Sequence, residues 1–115
     1  ELVSGAVVVD DTYNANPTSM AAALDAVIAM EANRRFAVLG EMGELDDPGA
    51  GHREVARRAE ALGVELIAVG TDLYGVRPTE HPIAALGGLG PGDVVLVKAS
   101  RSAGLERIVA ELADG

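Results

Sequence analysis

Three short stretches of this 115-residue sequence hold most of the side chains that could do chemistry. The first is Asp10-Asp11-Thr12-Tyr13-Asn14-Ala15-Asn16-Pro17, with two carboxylates, a phenol and two carboxamides. Asn16 fits a helix N-cap, and Pro17 fits the first helical position, whose N–H has no partner within the helix. The free N–H groups and the positive end of such a helix favour an anion, and Asn side chains can bond ribose or amide groups. Capping alone accounts for Asn16; no structural requirement calls for Tyr13 or Asn14. The second stretch, Gly40-Glu41-Met42-Gly43-Glu44-Leu45, carries two carboxylates able to orient a lysine or a metal-bound water, although acidic loops are also common on bare surfaces. The third, Lys98-Ala99-Ser100-Arg101-Ser102, brings two cations and two hydroxyls to a helix start, a good receptor for a carboxylate or phosphate. Its plainer alternative is a strand-end lysine followed by a Ser cap.

What is missing narrows the chemistry. No G-x-x-x-x-G-K-[ST] loop occurs, nor a G-x-G-x-x-G after a strand, so a nucleotide bound here would need another domain for its phosphates. There is no G-x-S-x-G elbow for a serine nucleophile. With no Cys, and with His52 and His81 far apart, zinc and thiolate chemistry are disfavoured, and a reducing compartment is the natural setting. By spacing alone, no zinc site and no serine nucleophile stand out.

The elements that must position these stretches are short β-branched runs alternating with Ala-rich helical patterns, the mark of an α/β fold with a mainly parallel sheet. Ala6–Asp10, Phe36–Leu39, Glu65–Val69 and Val94–Val97 read as strands. The first does not alternate apolar with polar residues, so both its faces should be covered. A helix is expected from Pro17, with Met20, Leu24, Val27, Ile28 and Glu31 on one stripe. A second should run from Asp47 or Pro48 to Leu62, with Val55, Ala56, Ala59 and Leu62 inward and Gly63 at the left-handed position beyond its end. A last helix should start near Ser102 and end at Gly115. Between Thr71 and Gly92, three prolines and Gly87-Gly88 imply a loop, one short helix around Ile83–Leu86 and an edge strand near Val76. In such open sheets ligands bind at the carboxyl ends of the strands, where all three polar stretches fall.

The length suits one domain, and 49% hydrophobic residues exclude a disordered segment despite a net charge of −9. The apolar runs are too short to span a membrane, and no signal-peptide pattern opens the sequence. Nine basic residues against eighteen acidic ones argue against a nucleic-acid partner, and Arg53, Arg57 and Arg58 read as a solvated helix face. A receiver-like phospho-acceptor domain is a rival reading, because Asp10-Asp11 and Lys98 imitate its acidic pair and lysine; its acceptor would have to be Asp72.

Val9 to Pro17 with Ser19-Met20 and Ala22-Ala23-Leu24, then Leu39 to Leu45 with His52 and Glu54-Val55, then Gly92 to Ser102 with Glu106, resemble three blocks of the C-terminal domain of the Mur ligases. They fall in order over nearly the whole chain, and Tyr13-Asn14-Ala15-Asn16-Pro17 resembles most the type that adds D-alanyl-D-alanine. Thr12, Glu41 and Ala99 stand where that family usually has Ser, Asp and Gly, and the Leu73–Gly90 segment is short against it.

The resemblance implies a Rossmann-like, three-layer domain with helices on both faces of a mainly parallel sheet, cut from a longer three-domain chain. It also implies a cytoplasmic, ATP-dependent amide ligase of peptidoglycan synthesis. In that family the central domain carries the phosphate loop and the Mg2+ ligands and activates the carboxylate of UDP-N-acetylmuramoyl-tripeptide as an acyl phosphate with ATP. The resemblance therefore implies no catalytic residue and no metal ligand in this chain, whose partners are the N-terminal and central domains. The C-terminal domain closes over the site by a hinge motion. Carried over by position, Asp11, Tyr13, Asn14 and Asn16 would face the nucleotide, and Lys98, Ser100, Arg101 and Ser102 would line the D-Ala-D-Ala pocket.

Overall fold

In a computed structural model of the chain, which describes residues 6–11, 17–42, 47–98 and residue 110, the four branched apolar runs lie side by side in one sheet. They are β1 (Val7–Asp11), β2 (Arg34–Leu39), β3 (Glu65–Ala68) and β4 (Asp93–Lys98), all parallel, in the order β1-β4-β2-β3. Parallel neighbours need crossover connections, which helices supply: α1 (Pro17–Ala29) joins β1 to β2, α2 (Pro48–Ala61) joins β2 to β3, and α3 (Pro82–Leu86) precedes β4.

Every residue of the central strand β4 is buried, as are the last four of β2. The two-residue period then sorts their side chains into two cores. Ala37, Leu39, Val94 and Leu96 meet Met20, Leu24 and Val27 of α1 and Val55 and Ala59 of α2. Phe36, Val38, Val95 and Val97 form the opposite core with Ile67 and Leu86, and Ile83 of α3 packs against it. Helices thus cover both faces, and the fold is the three-layer α/β arrangement expected. On edge strand β1, Val7 and Val9 pack on one core and Val8 on the other, which is why its sequence does not alternate.

Local chemistry explains the helix ends. Asp47 Oδ1 accepts from the Ala50 N–H at 3.0 Å and Pro48 opens α2, while Leu62 closes it and Gly63 follows at φ +75°. The two large helices are also tied by Arg58, whose Nη2 lies 2.8 Å from both carboxylate oxygens of Asp25.

Two expectations need correction. Glu31 does not share the α1 stripe: the helix stops at Ala29, and Glu31 is exposed beyond it. The stop follows from Arg35, whose guanidinium caps the terminal carbonyls of Val27 at 3.2 Å and Met30 at 2.6 Å. No strand forms at Val76 either. Gly75 adopts φ +82° and Val76 is exposed in a bend; the pairing beside β3 is a single parallel bridge between Val69 and Thr79. A left-handed residue directly before Val76, and Pro78 without an N–H two residues on, prevent a continuous edge strand. Of the expected last helix only residue 110, which is helical, lies within the described residues.

Candidate functional site

The strand register brings the strand ends from which the three polar stretches follow in sequence to one end of the sheet. Asp11, the last residue of β1, pairs with Lys98, the last residue of β4, and Lys98 pairs on its other side with Leu39 at the end of β2. Gly40 continues from there, its N–H donating to the Lys98 carbonyl at 3.0 Å. Lys98 is 1% exposed, so its ammonium is held within the fold at the end of a central strand. Pro17, which opens α1, follows Asp11 by six residues, and no acidic residue occupies the first turn of that helix to oppose an incoming anion.

Of the site residues expected from sequence, the structure therefore brings together Asp11, by its backbone, and Lys98. Tyr13, Asn14, Asn16, Ser100, Arg101 and Ser102 lie outside the described residues, as does Glu44. Glu41 is exposed, directly after the end of β2.

A buried clamp holds the loop after β2. The His52 ring, 0% exposed, accepts the Met42 N–H at Nε2 (2.9 Å) and lies with Nδ1 2.6 Å from the Pro48 carbonyl oxygen. An N–H can only donate and a carbonyl can only accept, so the ring is neutral with its proton on Nδ1. Tyr74, 2% exposed, donates its hydroxyl to the Gly40 carbonyl at 2.7 Å and meets the His52 ring edge-on, with centroids 4.8 Å apart and planes at 70°. Burial, reinforced by the negative charge of Glu41, pushes the Tyr74 hydroxyl well above its ordinary value, so it remains a donor. Gly40 and Met42 are thus fixed by side chains from two other segments.

Sequence reasoning about catalytic groups passes over this clamp. His52 is signalled by its place in the second family-like block and by its spacing with Val55 and Ala59, which places it on the inward face of α2, but not as part of a clamp; nothing in the sequence marks Tyr74.

Chemically, this edge combines a buried lysine, a helix N-terminus and a braced loop, a setting for an anion. Among the described residues no group of three or more His, Cys, Asp or Glu could hold a metal ion. The receiver reading fails on topology. Asp72 is exposed, four residues past the end of the edge strand β3, whereas the central strands end in Lys98 and Leu39. Among the described residues, no aspartate ends a central strand as phospho-acceptor.

The sequence matches the Mur ligase, glutamate ligase domain family over residues 1–101. It is 40% identical over 118 residues to the UDP-N-acetylmuramoyl-tripeptide–D-alanyl-D-alanine ligase of Mycobacterium bovis, an alignment covering 96% of this chain and 22% of that protein. The Escherichia coli K12 protein of the same name is 30% identical over 135 residues, covering 99% of this chain and 28% of its own. Among solved structures, the MurF ligase of Thermotoga maritima in complex with ADP superposes with a TM-score of 0.80 at 29% identity, over 99% of this chain and 29% of that one. MurF from Acinetobacter baumannii gives 0.75 at 28% identity, over 94% of this chain and 27% of its own. The chain spans about a quarter of the length of these relatives. With the fold, the ordered strand-end blocks and the family match in agreement, the chain belongs to the Mur ligase family, as its glutamate ligase (C-terminal) domain.

Proposed function

We propose that this chain is the closing domain of an ATP-dependent amide ligase that joins D-Ala-D-Ala to UDP-N-acetylmuramoyl-tripeptide in bacterial peptidoglycan synthesis. The reading is carried by the carboxyl edge, where the ends of β1 and β2 flank Lys98. It is supported by relatives of that name that align with 96–99% of the chain. Asp11, Tyr13, Asn14 and Asn16 face the nucleotide in this reading. Lys98, Ser100, Arg101 and Ser102 receive D-Ala-D-Ala, the cations lying near its carboxylate.

The nucleotide fits what the edge offers: a helix start without acidic residues, next to a lysine. A solved relative carries ADP. Magnesium does not fit the described residues, which supply no metal cluster, and in this reading it is held by the central domain, with the phosphate machinery; the N-terminal domain is a further partner. Those domains, the UDP-linked tripeptide and D-Ala-D-Ala are the partners. This reading includes no nucleic acid and no membrane insertion. The cytoplasm, where such precursors are made, is the proposed compartment.

In the overall reaction the tripeptide carboxylate takes the γ-phosphoryl group of ATP, the amine of D-Ala-D-Ala attacks that carbonyl, and phosphate and a proton leave as the amide forms. This chain contributes orientation and exclusion of water. An acyl phosphate hydrolyses when exposed, so a domain that closes only over both substrates protects it and holds the amine in line. The braced loop at Gly40–Met42 and the buried Lys98 give that surface a fixed shape before closure.

The assignment is tested in the polypeptide that carries this domain. Arg101→Ala should raise KM for D-Ala-D-Ala by about tenfold, the loss of one charge-assisted contact, with KM for ATP unchanged. An unchanged KM for D-Ala-D-Ala overturns it.

A further inference from the structure

Behind the loop that follows β2, a cleft of about 450 Å3 lies between α2 and the 74–76 segment, beside edge strand β3. Its floor is apolar: Val64, Leu66, the Tyr74 ring and Val76 line it. Val76 is 39% exposed, the one exposed large hydrophobic side chain among the described residues. Arg53 and Arg57, one helical turn apart on α2, stand at its wall. Both are exposed, and among the described residues neither belongs to an ion pair, in contrast to Arg34 and Arg58, which are matched to Asp93 and Asp25. In a chain of net charge −9, two such neighbouring cations over an apolar floor form a local inversion of the field. Tyr74 cannot supply a polar contact, because its hydroxyl is committed to Gly40. Glu60, farther along the helix, also lines the cleft and sets its polarity: an anionic group is drawn to the Arg53 and Arg57 end and repelled from the other.

We propose that this cleft binds a small amphipathic monoanion, an aromatic or branched aliphatic body bearing one carboxylate or sulfonate. The volume suits a body of two or three fused or linked rings, and the floor rewards its burial. The charged group lies at the Arg53 and Arg57 end of the cleft, where each guanidinium can offer paired N–H donors. None of its lining residues is among those proposed to face nucleotide or D-Ala-D-Ala, although Tyr74 also braces Gly40 at that edge, and the proposal does not depend on the ligase reaction.

The test uses the 115-residue chain and two probes of nearly the same shape, 8-anilinonaphthalene-1-sulfonate and its uncharged counterpart N-phenyl-1-naphthylamine. The sulfonate should bind the folded chain saturably, more weakly as salt rises, and shift the methyl resonances of Val64, Leu66 and Val76. The double substitution Arg53→Ala with Arg57→Ala should weaken the sulfonate at least about tenfold while changing the neutral probe little. Arg58→Ala, on the same helix but paired to Asp25, should change neither. Val76→Asp should weaken both. The proposal is overturned if the double variant binds the sulfonate as well as the parent, if Arg58→Ala weakens it equally, or if the shifted methyls lie elsewhere.

Discussion

Replacing Tyr74 by Phe isolates one atom of the clamp behind the candidate site. The ring, its edge contact with His52 and its place over the β2 loop are kept; only the hydroxyl that donates to Gly40 at 2.7 Å is lost. A neutral hydrogen bond contributes about 1 kcal/mol net, and leaving the buried Gly40 carbonyl without it raises the cost to about 1–3 kcal/mol. Unfolding a chain of this length releases about 0.24 kcal/mol per kelvin near 60 °C, so Tm should fall by about 4–12 °C. Alkaline pH gives a second readout. Burial raises the Tyr74 hydroxyl above its ordinary value of about 10, so the unfolded chain loses this proton first. The stabilisation is complete below about pH 10 and declines above it, with a slope of up to about 1.4 kcal/mol per pH unit. The phenyl ring of Tyr74→Phe has no proton to lose, so the gap between parent and variant should narrow above about pH 10, while Tyr13 contributes equally to both. Thermal and urea melts of the two proteins, read by circular dichroism from neutral to alkaline pH, supply both numbers. A Tm within about 1 °C of the parent, or a gap that stays constant through the alkaline range, refutes the buried hydrogen bond.

At the opposite edge of the sheet, the Asp93 carboxylate accepts from Arg34 at 2.9 and 2.6 Å and from the Gly90 N–H at 2.9 Å. The Arg34 fork, with Gly90, holds it below the usual carboxylate range, so its stabilising effect is present above about pH 4 and fades as pH falls below that. Asp93→Asn should melt several degrees lower at neutral pH, and thermal melts should show the gap to the parent closing in acid. Gly92 precedes β4 at φ +90°, with the Asn33 carboxamide where a Cβ would stand and the Asn33 N–H donating to its carbonyl at 2.7 Å. Gly92→Ala should therefore cost at least about 1–3 kcal/mol in a urea melt, and a neutral outcome contradicts the turn geometry.

The parallel sheet was legible because burial on both faces needs near-continuous Val, Leu, Ile and Ala, and few other environments accept Val94-Val95-Leu96-Val97. Capping chemistry likewise located the starts of α1 at Pro17 and α2 at Pro48, and Gly63 marked an exit that only a left-handed residue suits. Strand ends were less legible. Arg34, Arg35 and Asp93 lie inside strands although their charges suggest loops, because strand order sets Arg34 opposite Asp93 and lets Arg35 reach back to cap α1. The first of these pairings spans tens of residues, and local pattern does not encode it. The same holds for the site: Asp11 and Lys98 are chemically suggestive by type, but their adjacency exists only once β1 and β4 pair. Tyr74 is the extreme case, a residue in a loop whose role lies in a carbonyl 34 positions away. Val76 misled because one valine between Gly75 and Arg77 carries no period at all.

The most direct test of the ligase reading is phosphate release by the natural polypeptide that carries residues 1–115, supplied with ATP, Mg2+ and UDP-N-acetylmuramoyl-tripeptide. The account predicts steady turnover only when D-Ala-D-Ala is added, with the pentapeptide precursor as the product by mass, and no turnover from residues 1–115 alone. Phosphate release indifferent to D-Ala-D-Ala, or no amide product with all substrates present, contradicts it.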